Sequence, residues 1–246
     1  MLPYHNAVSD QLVVSLFPEF TVYLVYGKDH NLKWTHTTSE VEYPNVLSNC
    51  IFSTSRLITA FQNFTLAPLG AVNYASFYEL NFGKEKVLST SNTEEFMEVY
   101  KPNERYSLVS KRLVSDLQHT DIELVYQYAS QKSYKDALYF YTYDNKLSVL
   151  AWKDGKFLLA NRFPADNLEE VFYYIMLVIE QLELPADSLH FESVCSKGKH
   201  ESYHSLFQKY VTPLYLSTLA SSAHMAQEEK AKEAEVLAQF FAQCVL

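Results

Sequence analysis

Glycine is scarce in this chain. There are five among 246 residues, Gly27, Gly70, Gly83, Gly155 and Gly198, so no glycine-rich loop can form. Backbone amides close on a phosphate only where no Cβ intervenes, and loops of that kind are missing. Cysteine is scarcer still. Cys50, Cys195 and Cys244 are odd in number and widely spaced, with no CxxC pair, which argues against a disulfide framework and against a cysteine zinc site. Reduced thiols in a cytoplasm fit that usage. Positive charge is also short: 20 Lys and Arg against 29 Asp and Glu leave a formal charge of −9 with no basic stripe. The electrostatic term that drives nucleic-acid binding is therefore absent. No apolar run approaches the ~18 residues of a membrane span, and Met1 to Asp10 has no basic segment leading into an apolar one, so neither membrane insertion nor export is expected. No G-x-S-x-G elbow marks a serine nucleophile.

What the chain has in quantity is apolar and aromatic surface. Hydrophobic residues make up 48%, with 19 Tyr and 16 Phe, enough for a substantial core and suited to half-buried strands. Ala137 to Phe163 reads as a three-stranded meander with two tight turns, and Val13 to Thr35 repeats the design: VVSLF, a turn at Pro18-Glu19, FTVYLVY, a turn at Gly27 to Asn31, then LKWT. Aligning Phe20-Thr21-Val22 with Leu147-Ser148-Val149 sets an offset of 127 residues and suggests an internal duplication. Trp34 and Trp152 fall in corresponding meanders and are expected to pack on strands.

Between the meanders, Val46 to Phe61 reads as a helix or broken helix that buries Val46, Cys50, Ile51, Leu57 and Ile58. A short strand at Phe64 to Pro68, a helix at Ala71 to Leu80, and strands at Val87 to Ser89 and Phe96 to Tyr100 follow. Pro102 opens a helix to about Leu117, with Leu108, Leu113 and Leu117 inward; Ile122 to Tyr128 reads as extended. After the second meander, the apolar spacing of Leu168 to Leu184 predicts a helix capped by Asp166 or Asn167 and stopped by Pro185. Leu189 to Val194 reads as a strand, Lys199 to Tyr210 as a helix and Leu214 to Ser217 as a strand. Leu237, Phe240, Phe241 and Cys244 then form the stripe of a closing helix, read as core in preference to an interface. The joint at Ser130 to Asp136 sets two lobes, 8–132 and 133–246, the second including the closing helix.

The second half thus runs βββ-α-β-α-β, and the first repeats that order less cleanly. This is the order of the actin-like ATPase fold, an α/β fold related to the ribonuclease-H fold and to the pilus-assembly actin-like proteins. More specifically, LVVSLFPEFTVYLVY, NFTLAPLGAVNYASFYELNFG, ANRFPADNLEEVFYYIMLVIEQLEL and LHFESV resemble an uncharacterised Bacteroidetes family with this fold, over residues 10 to 216. The resemblance implies two similar lobes and, for an active member, ATP and magnesium held by two glycine-rich hairpins. It also implies a metal-organising aspartate at the first strand's end and a glycine pair facing adenosine after the last strand. Here the first hairpin is Ser15-Leu16-Phe17-Pro18-Glu19, the second is Thr142-Tyr143-Asp144-Asn145-Lys146, and the position after the last strand is Leu219-Ala220-Ser221-Ser222. Of the cofactor-binding positions, Asp144 alone carries over. Read from the residues alone, Asp144-Asn145 is a hairpin tip.

His200-Glu201-Ser202-Tyr203-His204 matches H-E-x-x-H, where two histidines one helical turn apart hold zinc and the glutamate activates water. The competing reading is the solvent side of an amphipathic helix that buries Tyr203, Leu206 and Phe207. The expectation is a cytoplasmic, non-catalytic actin-like protein that binds another protein, with a homodimer as one form of that. The alternatives are a divergent ATP-binding actin-like ATPase using Asp144, and a zinc hydrolase using His200 and His204.

Overall fold

The computed structural model describes residues 6, 8–40, 43–85, 88–102, 105–110, 113, 117–211, 213–217 and 228–246. Val87, Asn103, Glu104 and Leu219 to Ser222, singled out above, lie outside the described residues. The chain divides into two units, residues 1–124 with 224–246, and residues 125–223.

In the first unit, β1 (Gln11–Leu16) is flanked by β2 (Thr21–Tyr26) and by β4 (Thr54–Thr59); β3 (Leu32–Thr38) and β8 (Leu117–Thr120) form the edges, giving the order β3-β2-β1-β4-β8. Val14 pairs antiparallel with Tyr23 on one side and parallel with Leu57 on the other. Both faces are covered, so β1 and β2 are apolar almost without a break, not alternating. Leu12, Val14, Leu16, Tyr23, Val25 and Leu57 bury one face with Leu47, Val109 and Leu113. A smaller antiparallel sheet, β5 (Phe64–Pro68), β7 (Phe96–Tyr100) and β6 (Ser89–Asn92), packs against α1 (Tyr74–Phe82) between β4 and β8.

Three local expectations fail here, two of them where tertiary pairing outweighs a short apolar pattern. Residues 46–61 hold a 3-10 turn at Asn45–Leu47 and then β4, whose Leu57 and Ile58 are fully buried between β1 and β8; Ile51 is exposed. Of the helix expected to reach Leu117, the described residues show a single turn, α2 (Tyr106–Val109); the Leu108 side chain lies outside the description, and Leu117 opens β8 with its side chain exposed. The stretch 122–128, expected to be extended, lies in α3 (Asp121–Lys132).

The second unit carries the order β11-β10-β9-β12-β13, the same as the first, from β9 (Ala137–Tyr143), β10 (Lys146–Lys153), β11 (Lys156–Pro164), β12 (His190–Val194) and β13 (Leu214–Leu216). Its crossovers are α4 (Leu168–Gln181) and α5 (Lys197–Phe207), which bury Leu138, Phe140, Val149, Val171, Ile175 and Phe191. Asn167 caps α4 by accepting the Glu170 amide at 2.9 Å, while the Glu170 carboxylate accepts the Asp166 amide at 2.8 Å. The hairpins differ in length. Leu16 pairs with Thr21 across four residues, Tyr143 with Lys146 across two.

Chain order places the closing helix, α6 (Glu229–Val245), with the second lobe, but it lies across β1, β2 and β3 of the first unit. Residues 234–242 are buried on every side, and the Thr37 hydroxyl donates to Glu235 at 2.7 Å. Among the described residues no helix is long and apolar enough to cross a membrane.

Buried phenols make the first unit sensitive to alkali. Burial pushes the Tyr23 hydroxyl from 10.0 up to about 12, with nearby Tyr43 adding and Arg105 opposing. A folded-state pKa above the unfolded one gives stability that is complete below pH 10 and is lost as pH rises toward 12. The expected fall is about 2–3 kcal/mol for this group. Urea midpoints between about pH 9 and pH 12 should drop less in Tyr23→Phe than in the parent; an equal drop would assign the effect elsewhere.

Candidate functional site

The resemblance to actin-like ATPases directs attention to the two β-hairpin tips, each taken by itself. In the first, the Phe17 amide donates to the Phe20 carbonyl at 2.8 Å, and the Phe17 ring stacks on Phe61 with centroids 6.2 Å apart, so apolar burial anchors the turn from beneath. Pro18 contributes no amide. The carbonyls of Pro18 and Glu19 accept from the Arg105 guanidinium, at 3.4 Å from Nε and 2.7 Å from Nη2, and the same group donates to the Ser39 carbonyl at 2.8 Å and the Glu40 carbonyl at 3.2 Å. A phosphate-binding turn converges N–H donors on its ligand; this one converges carbonyl oxygens on an internal cation. In the second hairpin, Asp144 is exposed with φ 54° and the Asn145 carbonyl accepts the Ala165 amide at 2.8 Å. That backbone is what a tight turn requires, and Asp and Asn tolerate it. Taken together, the described residues of the two hairpins do not fit ATP with magnesium.

Sequence reasoning missed a buried polar cluster of the first unit, at the β8–α3 junction. Thr120 starts α3: its hydroxyl accepts the Glu123 amide at 3.1 Å and donates to Glu98 in β7 in a short bond, while the Glu123 carboxylate reaches back to the Thr120 amide at 3.4 Å. This is a capping box, and Thr120-x-x-Glu123 was the available signal. Ser91 donates to Glu123 at 2.5 Å, His119 Nδ1 lies 3.1 Å from its other oxygen, and the Phe61 amide donates to Asp121 at 3.4 Å. Glu98 and Asp121 are fully buried. The geometry joins the end of β8, the start of α3 and the small sheet through internal hydrogen bonds. Among the described residues, no group of three or more His, Cys, Asp or Glu is disposed to hold a metal ion.

His200, Glu201 and His204 lie on α5, which starts at Lys197 under a Ser196 cap and so begins before the first histidine. Glu201 and His204 are exposed. His200 is engaged: its Nδ1 is 2.9 Å from Ser193 Oγ at the end of β12, and its ring centroid is 6.4 Å from that of His204. Burial, then the neighbouring His204, holds the His200 imidazole below its usual range. Tyr203 and Phe207 form the buried side, with the Tyr203 and Thr142 hydroxyls 2.9 Å apart. Elsewhere in the second unit, His190 is stacked between Tyr134 and Tyr215, at 3.7 Å and 4.8 Å, and lies 2.8 Å from Glu192, which also accepts from Tyr128 at 2.8 Å.

Comparison with known proteins places this architecture. Residues 45–214 match the model of a family described as Protein of unknown function (DUF3822), and the chain belongs to that family. Among solved structures it is similar to a Bacteroides thetaiotaomicron protein with actin-like ATPase fold and unknown function, at 14% identity and a TM-score of 0.73, over 94% of this chain and 96% of that one. It is also similar to a chain of the PilM-PilN type IV pilus biogenesis complex, at 10% identity and a TM-score of 0.51, over 98% of this chain and 100% of that one. Among curated proteins no sequence matches. The fold is that of the actin-like ATPases.

Proposed function

We propose that this member of the family, although it has the actin-like ATPase fold, works in the cytoplasm by binding another protein and does not turn over a nucleotide. The first hairpin carries the reading: its carbonyls are committed to Arg105, and Pro18 offers no amide, so the donors that would receive a phosphate are not assembled. The net charge of −9 disfavours nucleic acid as the partner. The PilM-PilN complex, whose fold is similar, is in line with a protein partner. The identical strand order of the two sheets supports an internal duplication as the origin of the chain.

Calorimetry of the full chain with ATP and magnesium tests this. No saturable heat is expected up to about 1 mM nucleotide, equivalent to a binding free energy weaker than about −4 kcal/mol. Micromolar binding that Asp144→Ala abolishes would overturn the proposal. Metal analysis of the purified protein tests the hydrolase alternative, which stoichiometric zinc lost in His204→Ala would establish.

A further inference from the structure

α5 carries a histidine pair that the protein-binding reading leaves without a task. Of the eight histidines, His200 and His204 are the two that stand four apart, so both side chains leave one face of the helix. Their ring centroids are 6.4 Å apart; His204 is exposed and His200 half-buried. His200 is tethered from beneath, its Nδ1 lying 2.9 Å from Oγ of Ser193, a fully buried residue of β12. When Nδ1–H donates to that oxygen, the lone pair of Nε2 is left on the far side of the ring from the strand. One nitrogen anchored to the protein and the other presented is the arrangement that orients a metal-ligating imidazole.

Donor chemistry selects the ligand. Two imidazole nitrogens suit cations of the zinc class, whereas magnesium and calcium call for oxygen ligands. A thiolate is not offered: Cys195 is buried in the apolar core and its thiol donates to Ser193 Oγ at 3.5 Å. With Zn–N at about 2.0–2.1 Å and a tetrahedral angle, the two centroids would lie about 5 Å apart, so chelation needs roughly 1 Å of closure. A change of rotamer at exposed His204 supplies it. Glu201 adds a negative charge beside the pair, while Lys197, Lys199 and the amide end of α5 oppose a cation. Such helix-end effects alter affinity by less than about tenfold. Among the described residues, no third His, Cys, Asp or Glu joins the pair. Water therefore completes the coordination and the ion exchanges, whereas a peptidase holds its zinc by three protein ligands.

We propose that His200 and His204 chelate an exchangeable divalent metal ion of the zinc class on the surface of α5. The site stands independently of the protein-binding reading, and it differs from the hydrolase alternative, in which zinc is retained through purification. The probe is zinc chloride alone, added to the chelator-treated full chain in competition with a fluorescent zinc indicator, with millimolar magnesium present. Saturable binding with a micromolar dissociation constant is expected. His204→Ala, an exposed change, should weaken it by about tenfold or more. Ser193→Ala keeps both ligands and removes the anchor, and should also weaken binding by about tenfold; Ser193→Thr, which keeps a hydroxyl, should restore it. The proposal is overturned if the parent shows no saturable zinc binding, if His204→Ala binds as the parent does, or if Ser193→Ala folds and binds as the parent does. Should Ser193→Ala fail to fold, the His204→Ala comparison decides. Zinc that survives the chelator and is lost in His204→Ala would overturn it in favour of the hydrolase.

Discussion

Removing residues 233–246 is expected to abolish cooperative folding of the first unit. The deletion strips Val236, Leu237, Phe240 and Phe241, each at most 3% exposed, from the face formed by β1, β2 and β3. At about 1.5–3 kcal/mol for each large side chain, these four contribute on the order of 6–12 kcal/mol, comparable with the whole stability of a domain. Phe240→Ala is the milder form and should cost about 3–5 kcal/mol. Thermal melts read both. A truncated chain that melts within a degree or two of the parent, with a changed mass in light scattering, would mean that the stripe serves association and not the core.

Thr120→Val is expected to cost about 2–5 kcal/mol, because one hydroxyl serves two buried groups. It accepts the Glu123 amide at the start of α3 and donates to Glu98, whose side chain is fully buried. Valine keeps the shape and removes both bonds, leaving the desolvation of Glu98 less compensated. Thr120→Ser retains the hydroxyl and should recover most of the loss in denaturant midpoints. If Val and Ser variants unfold alike, the cluster owes its stability to shape and not to hydrogen bonding.

Legibility in the sequence followed contact range. Both meanders, α4 and the β12-α5-β13 run depend on local periodicity, and turn chemistry marks their ends: Asp144 takes the left-handed backbone its type tolerates, and Asn167 caps α4. β4 looks helical because its neighbours β1 and β8 lie far away in the chain, and of its six residues only Leu57 and Ile58 are apolar, too few to set a period. The start of α3 looks extended because Asp121 and Glu123 alternate with Ile122 and Leu124, the period of a strand; the Thr120-x-x-Glu123 box is the better guide. Arg105 left no local trace. Its guanidinium meets carbonyls 65 to 87 residues upstream, and no spacing rule reaches that far.

The placement of α6 sets a timetable for synthesis. The face formed by β1 to β3 emerges from the ribosome early, yet the helix that covers it is encoded after the entire second unit. At about 5–20 residues per second, the roughly 120 residues that follow Leu124 take about 6–25 s to make. During that interval the second unit, encoded in one continuous stretch, has all its strands available while the first still presents apolar surface. The early-made half thus carries uncovered apolar surface until α6 is made, and docking of that helix is the event that ends the exposure.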